Sequence, residues 1–153
     1  MQTIDFQRQY IGQAEIKGTD SNPFILRIIK LFFPSHGDDS TIAWCAIWAA
    51  YVLYKTGKLT WKDVFVTHRS RLASTRYLAS LFEESENPKV GDLVLLSRSN
   101  DPTKGHATFL YEPLNSRETT FEGFGGNQQD KIGVNTFPKK RIEKVLDVDR
   151  KKA

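Results

Sequence analysis

The chain contains one cysteine, and it stands at a position that favours chemistry. Cys45 follows the polar segment DDST and opens the apolar run WCAIWAAYVLYKTG, so we predict that it lies in the first turn of a helix. Unpaired backbone N–H groups and the positive end of the helix dipole favour an anion there, so the pKa of the thiol should fall, and the same N–H groups can hold an oxyanion. The alternative is a small buried apolar residue, which is the commoner role of cysteine.

One of the three histidines is placed to act as a base for this thiol. His106 follows Gly105 and opens the β-rich run HATFLYE, whereas His36 and His68 stand where we expect exposed loop residues. Thiol hydrolases use a strand-borne imidazole that faces a helix-borne thiol, with a third polar group that fixes the imidazole tautomer. Cys45 and His106 are therefore the candidate nucleophile and base.

Four helices are predicted in the first half of the chain. They cover residues 3–12, 22–33, 44–57 and 70–82. Asn22 and Pro23 are the expected N-cap and first residue of the second helix, and Gly57 is a left-handed C-cap for the third. The third helix is apolar on nearly every face, which predicts that it lies inside the core.

Short β-rich runs follow the helices. They are DLVLLS, HATFLYE, ETTFEGF, KIGVNTF and RIEKVLDV, separated by segments such as GGNQQ that are typical of turns. Helices followed by strands predict an α+β fold in which N-terminal helices pack on an antiparallel sheet. We expect residues 1–153 to form a single domain, with a helical part of about 1–84 and a sheet part of about 88–149.

Composition restricts the class of protein. A single cysteine excludes an internal disulfide, and no apolar run approaches the length of a membrane span. The opening residues MQTIDFQRQYIGQ lack the basic and apolar regions of a signal peptide, so we expect synthesis in the cytoplasm and another route to any site outside it. The adjacent Asp38 and Asp39 are expected to form a loop and helix cap, and no metal or cofactor is predicted.

The net charge of +4 comes from one segment. Residues 139–153 contain seven Lys or Arg and three Asp or Glu, so the rest of the chain is neutral. A basic tail can hold a protein near nucleic acid, an acidic membrane or an anionic cell wall, but a solvated tail is an equally good interpretation. Because the charge is confined to this segment, we do not predict a nucleic-acid partner.

Several motifs, taken in order, resemble one family of enzymes. WCAIWAAYVLYKTG resembles the nucleophile helix of the small NlpC-like and CHAP-like (cysteine, histidine-dependent amidohydrolase/peptidase) cell-wall hydrolases. NPKVGDLVLL, GHATFLYE and GFGGNQQDKIGV are similar to the Pro-x-x-Gly-Asp strand, the Gly-His strand and the Gly-Gly-Asn-Gln turn of one subgroup, and YIGQAEIKGTDSNPFILRII is similar to its leader. The resemblance covers nearly the whole chain and implies a papain-like fold.

The resemblance also implies a role for each site residue. Cys45 matches the nucleophile, His106 the general base and Asn127 the polar residue that orients the imidazole. Some relatives use a carboxylate in the third role, and Glu122 is the alternative here. Separately from the resemblance, the helical spacing of Trp44, Trp48, Tyr51 and Tyr54 favours core packing, and of these four Trp44 is the best candidate for the wall of a substrate cleft.

By the same resemblance, the substrate is the peptide part of bacterial peptidoglycan. The enzyme would cleave an amide or peptide bond through a Cys-His acyl-enzyme. Cleavage would take place in the periplasm or cell wall. The protein would reach that site either as an antibacterial effector exported by a secretion system or as a phage lysin that passes through a pore. An effector would have a cognate immunity protein as a partner. Ala107-Thr108 replaces the usual Val-Gly after the histidine, a departure that bears on substrate fit. Two alternatives stay open, a module that binds peptidoglycan without cleaving it and an acyltransferase with the same Cys and His.

Overall fold

The computed structural model describes residues 2–13, 22–33, 44–98, 101–128 and 131–152. His36, Asp38 and Asp39, for which the sequence predicts loop or cap roles, lie outside these ranges. Within the described ranges, helices come first and strands afterwards, as the sequence predicts. The architecture is α+β.

The helices lie in the first half of the chain. They are α1 (Thr3–Arg8), α2 (Pro23–Phe32), α3 (Cys45–Lys55), a π-helical segment (Asp63–Thr67), a 3-10 helix (Arg69–Ala73) and α4 (Thr75–Ala79). Asn22 caps α2, since its side chain accepts hydrogen bonds from the N–H groups of Phe24 and Ile25. Gly57 has a φ of 80°, in the left-handed region. Both predicted helix boundaries are therefore confirmed.

The strands form one antiparallel sheet. They are β1 (Phe82–Glu84), β2 (Leu93–Arg98), β3 (Asp101–Leu110), β4 (Thr120–Gln128), β5 (Lys131–Pro138) and β6 (Ile142–Lys151). Their order across the sheet is β1-β6-β2-β3-β4-β5, and each pairing is antiparallel. β3 and β4, which carry the candidate base and the Gly-Gly-Asn-Gln motif, are therefore neighbours.

The sheet is apolar on both faces. The helices cover one face, where Leu95, Ala107 and Phe109 belong to the main core. A smaller cluster lies on the other face and consists of Val94, Leu96, Leu110 and Phe121. Successive strand residues enter different layers because side chains alternate along a strand. Eight of the eleven residues of α3 are buried, which confirms that this helix lies inside the core.

Some predicted elements differ from the structure. The predicted helix over 70–82 is interrupted, because Ser74 caps α4 and Phe82 already opens β1. The basic segment 139–153 is not a free tail, because residues 142–151 form β6 between β1 and β2. Long-range strand pairing thus overrides the local pattern at both places.

Candidate active site

Cys45 is the first residue of α3, as predicted, and is 2% exposed. The start of this helix rests on β4. A Cβ atom built on Gly126 would lie 2.7 Å from the Trp44 ring and 2.8 Å from Cβ of Trp48, so only glycine permits this approach. A glycine of the Gly-Gly-Asn-Gln motif therefore determines where the thiol-bearing turn meets the sheet.

Trp44 has a different environment from the predicted cleft wall. Its side chain is 2% exposed, and its ring lies beside Gly126 in an apolar space that Phe24 and Trp48 also line. Aromatic side chains at helical spacing are often core residues. In this structure Trp44 packs in the core.

His106 lies in β3 and is 6% exposed. It is paired with Leu96, and the next pair along the ladder is Ala107 with Leu95. Ala107 and Leu95 face the helices, so the pleat turns the imidazole to the other face of the sheet. There its ring centroid lies 5.6 Å from that of Phe137.

The side chain of Gln128 holds the imidazole. Its Oε1 lies 3.1 Å from Nε2 of His106. Its Nε2 lies 3.0 Å from the carbonyl oxygen of Gly123, 2.7 Å from that of Gly133 and 3.3 Å from Oδ1 of Asn135. Gln128 is 3% exposed, and both polar atoms of this buried amide have partners. The amide thereby joins β3, β4 and β5 at one point.

These contacts fix the tautomer of His106. The amide nitrogen of Gln128 donates to carbonyl oxygens, which only accept, so Oε1 is the atom that faces the imidazole. An amide oxygen also only accepts, so Nε2 of His106 must carry a proton. In the neutral ring, Nδ1 is then the basic nitrogen. The site thus supplies an imidazole with a defined proton-accepting atom, as a general base requires.

Asn127 was predicted to orient the imidazole, and the structure gives it a backbone role. Its φ is 55°, in the left-handed region that asparagine tolerates better than most residues. A register shift between Gly125 and Gln128 accompanies this conformation. The register shift turns the side chain of Gln128 toward the face of the sheet that holds His106.

Gln128 is the contact of the imidazole that sequence reasoning missed. A usable signal was present in the motif, because asparagine is the residue of the pair that suits a left-handed position. That preference favours Asn127 for the backbone turn and leaves Gln128 as the side chain available for the site.

Glu122, the alternative third residue, lies far along β4. It stands six residues before Gln128, which corresponds to about 20 Å of extended strand. Its half-buried side chain lines a cleft of about 520 Å³ together with Glu112 and Glu118. Gln128 is therefore in contact with the imidazole, whereas Glu122 lies too far along β4 to reach it.

Thr108 stands where the resembled family has glycine, and glycines of β4 make room for it. A Cβ atom built on Gly123 would lie 2.5 Å from Oγ1 of Thr108, and one on Gly125 would lie 3.2 Å from the same atom. The Cβ atom on Gly125 would also lie 2.8 Å from Oε1 of Gln128. The two glycines thus admit both Thr108 and the Gln128 amide beside the imidazole.

β3 and β4 stay close beside these side chains, although their ladder is short. They are paired at Phe109 with Phe124 and at Leu110 with Gly123, while the described residues nearer the start of β3 have no such partner in β4. α3 packs against both strands. Cys45 therefore lies on the helix-covered face of the sheet. The imidazole of His106 lies on the other face, at the same end of β3 and β4.

His68 belongs to a separate cluster. Its Nδ1 lies 2.6 Å from the hydroxyl oxygen of Tyr77, and the Arg71 guanidinium carbon lies 5.0 Å from the centroid of the Tyr77 ring. His68 is half-buried, not exposed as predicted, because the π-helical segment and the 3-10 helix enclose it.

Wider comparisons add no relative. Comparison with protein-family models, curated proteins and solved structures gives no match to this chain. Among the described residues, no group of three or more His, Cys, Asp or Glu is arranged to hold a metal ion. None of the described helices is long and apolar enough to cross a membrane. Function must be inferred from the side-chain geometry and the sequence motifs.

Proposed function

We propose that this protein is a thiol hydrolase that cleaves an amide or peptide bond in the stem peptides of bacterial peptidoglycan. The supporting observation is the buried imidazole of His106, whose Nε2 is held by the Gln128 amide so that Nδ1 is the basic nitrogen. It lies at the end of the strand pair where α3 begins with Cys45. The motifs that resemble NlpC-like and CHAP-like enzymes indicate the substrate class, and a papain-like fold is part of the same proposal.

In the proposed reaction, Nδ1 of His106 takes the thiol proton while Sγ of Cys45 attacks the carbonyl carbon of the scissile amide. Backbone N–H groups of the first turn of α3 hold the oxyanion. The imidazolium then gives its proton to the leaving amine, and a thioester remains on Cys45. Water, activated by the neutral imidazole, hydrolyses the thioester and restores the thiol. Throughout the cycle the Nε2 proton stays donated to Gln128.

In this proposal, the thiol and the imidazole meet where Gly126 of β4 contacts Trp44 at the start of α3. Strand pairing of β3 with β4 includes Phe109 and Leu110, and the contact of Gln128 with His106 continues the approach of the two strands. Cys45 and His106 are 2% and 6% exposed. Exclusion of water from the reacting atoms strengthens their electrostatic interactions.

Because the proposed substrate lies outside the cytoplasm, the route of delivery provides a test in cells. We expect a fusion of the chain to a periplasmic signal peptide to lyse bacteria, and the chain without that signal to be tolerated. The matched control is the same fusion with Cys45→Ala, which should be harmless. Equal toxicity of the two fusions would contradict the proposal, since lysis would then not depend on the thiol.

A further inference from the structure

An exposed apolar surface follows the C-terminal end of α3, at the opposite end of that helix from Cys45. Trp61 is 60% exposed and Val66 is 58% exposed. The Trp61 ring centroid lies 5.8 Å from that of Phe65, which lies 5.4 Å from that of Tyr54. We call the three residues in ring contact, Tyr54, Trp61 and Phe65, the Trp61 surface. Contiguous apolar side chains exposed to solvent often mark a site of interaction with another molecule.

Positive charge borders the Trp61 surface. Lys62 follows Trp61 directly and is exposed. Lys55 is also exposed, and its Nζ lies 5.9 Å from the centroid of the Tyr54 ring. Both ammonium groups are attached to stems that can lie along apolar surface while the charge stays in water.

Two carboxylates, one inside the segment that carries Trp61 and Phe65 and one bound to Lys58 before it, are already paired. Oδ2 of Asp63 lies 2.6 Å from Nζ of Lys151, and Asp149 forms an ion pair with Lys58. These pairs leave the charges of Lys55 and Lys62 without compensation from Asp63 or Asp149. The Trp61 surface is therefore apolar and has exposed lysines at its border.

We propose that the Trp61 surface binds an anionic lipid bilayer. Indole and lysine side chains together anchor proteins at the membrane boundary, because the ring enters the headgroup region while the ammonium group pairs with lipid phosphate. A neutral glycan would offer sugar faces to Trp61 but no counter-charge to the lysines. Tyr54 lies about 14 Å from Cys45 along the axis of α3, so binding at this surface leaves the candidate active site uncovered. This inference does not depend on the proposed hydrolase activity.

Vesicle binding tests this inference with the full chain. We expect the protein to sediment with vesicles of phosphatidylcholine mixed with phosphatidylglycerol, to dissociate as salt is raised, and not to sediment with phosphatidylcholine alone. Trp44 and Trp48 are 2% and 1% exposed, so a blue shift of fluorescence on binding would report Trp61. Lys62→Gln should weaken the partition by about fivefold.

Two matched variants test whether vesicle binding depends on Trp61. Trp61→Ser should abolish sedimentation and the blue shift while leaving the thermal unfolding temperature nearly unchanged, because the side chain is exposed. Lys131→Gln, an exposed lysine at the start of β5, should bind vesicles as the native chain does. The inference would be overturned if the Trp61→Ser and native proteins bound equally, or if the native protein bound purified peptidoglycan but not the anionic vesicles.

Discussion

Oε1 of Gln128 lies 3.1 Å from Nε2 of His106, and the amide nitrogen of the same glutamine contacts two backbone carbonyl oxygens. This relationship determines which ring nitrogen can accept a proton. It also ties β3 to β4 and β5 at the end of the sheet where α3 begins. The proposed chemistry depends on it directly, because the base needs its accepting nitrogen held in one tautomer.

Replacing Gln128 should separate tautomer control from substrate binding. In Gln128→Leu the imidazole loses its acceptor, so we expect kcat to fall on the order of a hundredfold with little change in KM. Ring ¹⁵N chemical shifts of His106 should show the Nε2–H form in the native protein and a mixture of tautomers in the variant. Asn127→Gly is the control, because glycine keeps the left-handed backbone and should retain activity. Native kcat and native ¹⁵N shifts in Gln128→Leu would exclude the positioning role.

The features that could be predicted from the sequence are those fixed by local chemistry. Asn22 caps α2 because its own side chain reaches the first free N–H groups. Gly57 ends α3 because the chain there needs a left-handed residue. The position of Cys45 in the first turn follows from the boundary between polar and apolar residues, which is also a local signal.

The features that sequence reasoning missed depend on distant partners. Gln128 reaches the imidazole because the register between β4 and β5 shifts near Asn127. The preference of asparagine for a left-handed position indicates a turn there, but it does not show which strand the Gln128 side chain will contact. Trp44 is buried because Gly126 of β4 approaches it, although its spacing alone fits a cleft wall equally well. The face occupied by His106 likewise depends on which residues of β2 it pairs with.

The two described histidines should respond differently to substitution. His106→Ala should abolish turnover of purified peptidoglycan, because the thiol loses its base and the leaving amine loses its acid. In His106→Ala, the reaction of Cys45 with iodoacetamide should need a higher pH to reach the rate seen in the native protein. His68→Ala should keep most activity, since the contact it loses is with the Tyr77 hydroxyl. If His68→Ala were the inactive variant, the base would be wrongly assigned.

Two glycines provide a matched test of how the thiol-bearing turn is positioned. The Cβ atom of Gly126→Ala would lie 2.7 Å from the Trp44 ring, so the start of α3 must move away from β4. We expect urea unfolding to show a loss of about 1 to 3 kcal/mol, together with reduced turnover. A Cβ atom on Gly133 meets nothing within 4 Å, so Gly133→Ala should change stability by no more than about 0.5 kcal/mol. Equal effects of the two substitutions would show that α3 does not depend on this contact.

Asp63 should make stability depend on pH. Burial raises its pKa, but hydrogen bonds from Lys151 and Thr60 outweigh burial and hold the pKa below its ordinary value. A carboxyl with a lowered folded-state pKa stabilises the fold above its unfolded pKa, near 4, and this contribution is lost as pH falls through the folded-state value. Asp63→Asn should therefore reduce the thermal unfolding temperature at neutral pH, and the difference from the native protein should shrink in acid. A difference that stays constant across this range would argue against the ion pair with Lys151.

The most direct test is the release of fragments from purified peptidoglycan, analysed by mass spectrometry, with the native protein and with Cys45→Ala. Alanine is small and favours helix, so the variant should keep α3 and its stability. We expect the native protein to add one water across a single type of amide bond, and the masses of the new ends to identify that bond. We expect Cys45→Ala to release nothing. Release of the same fragments by Cys45→Ala, or peptidoglycan left intact by the native protein, would contradict the assignment of Cys45 and His106 as a nucleophile and its base.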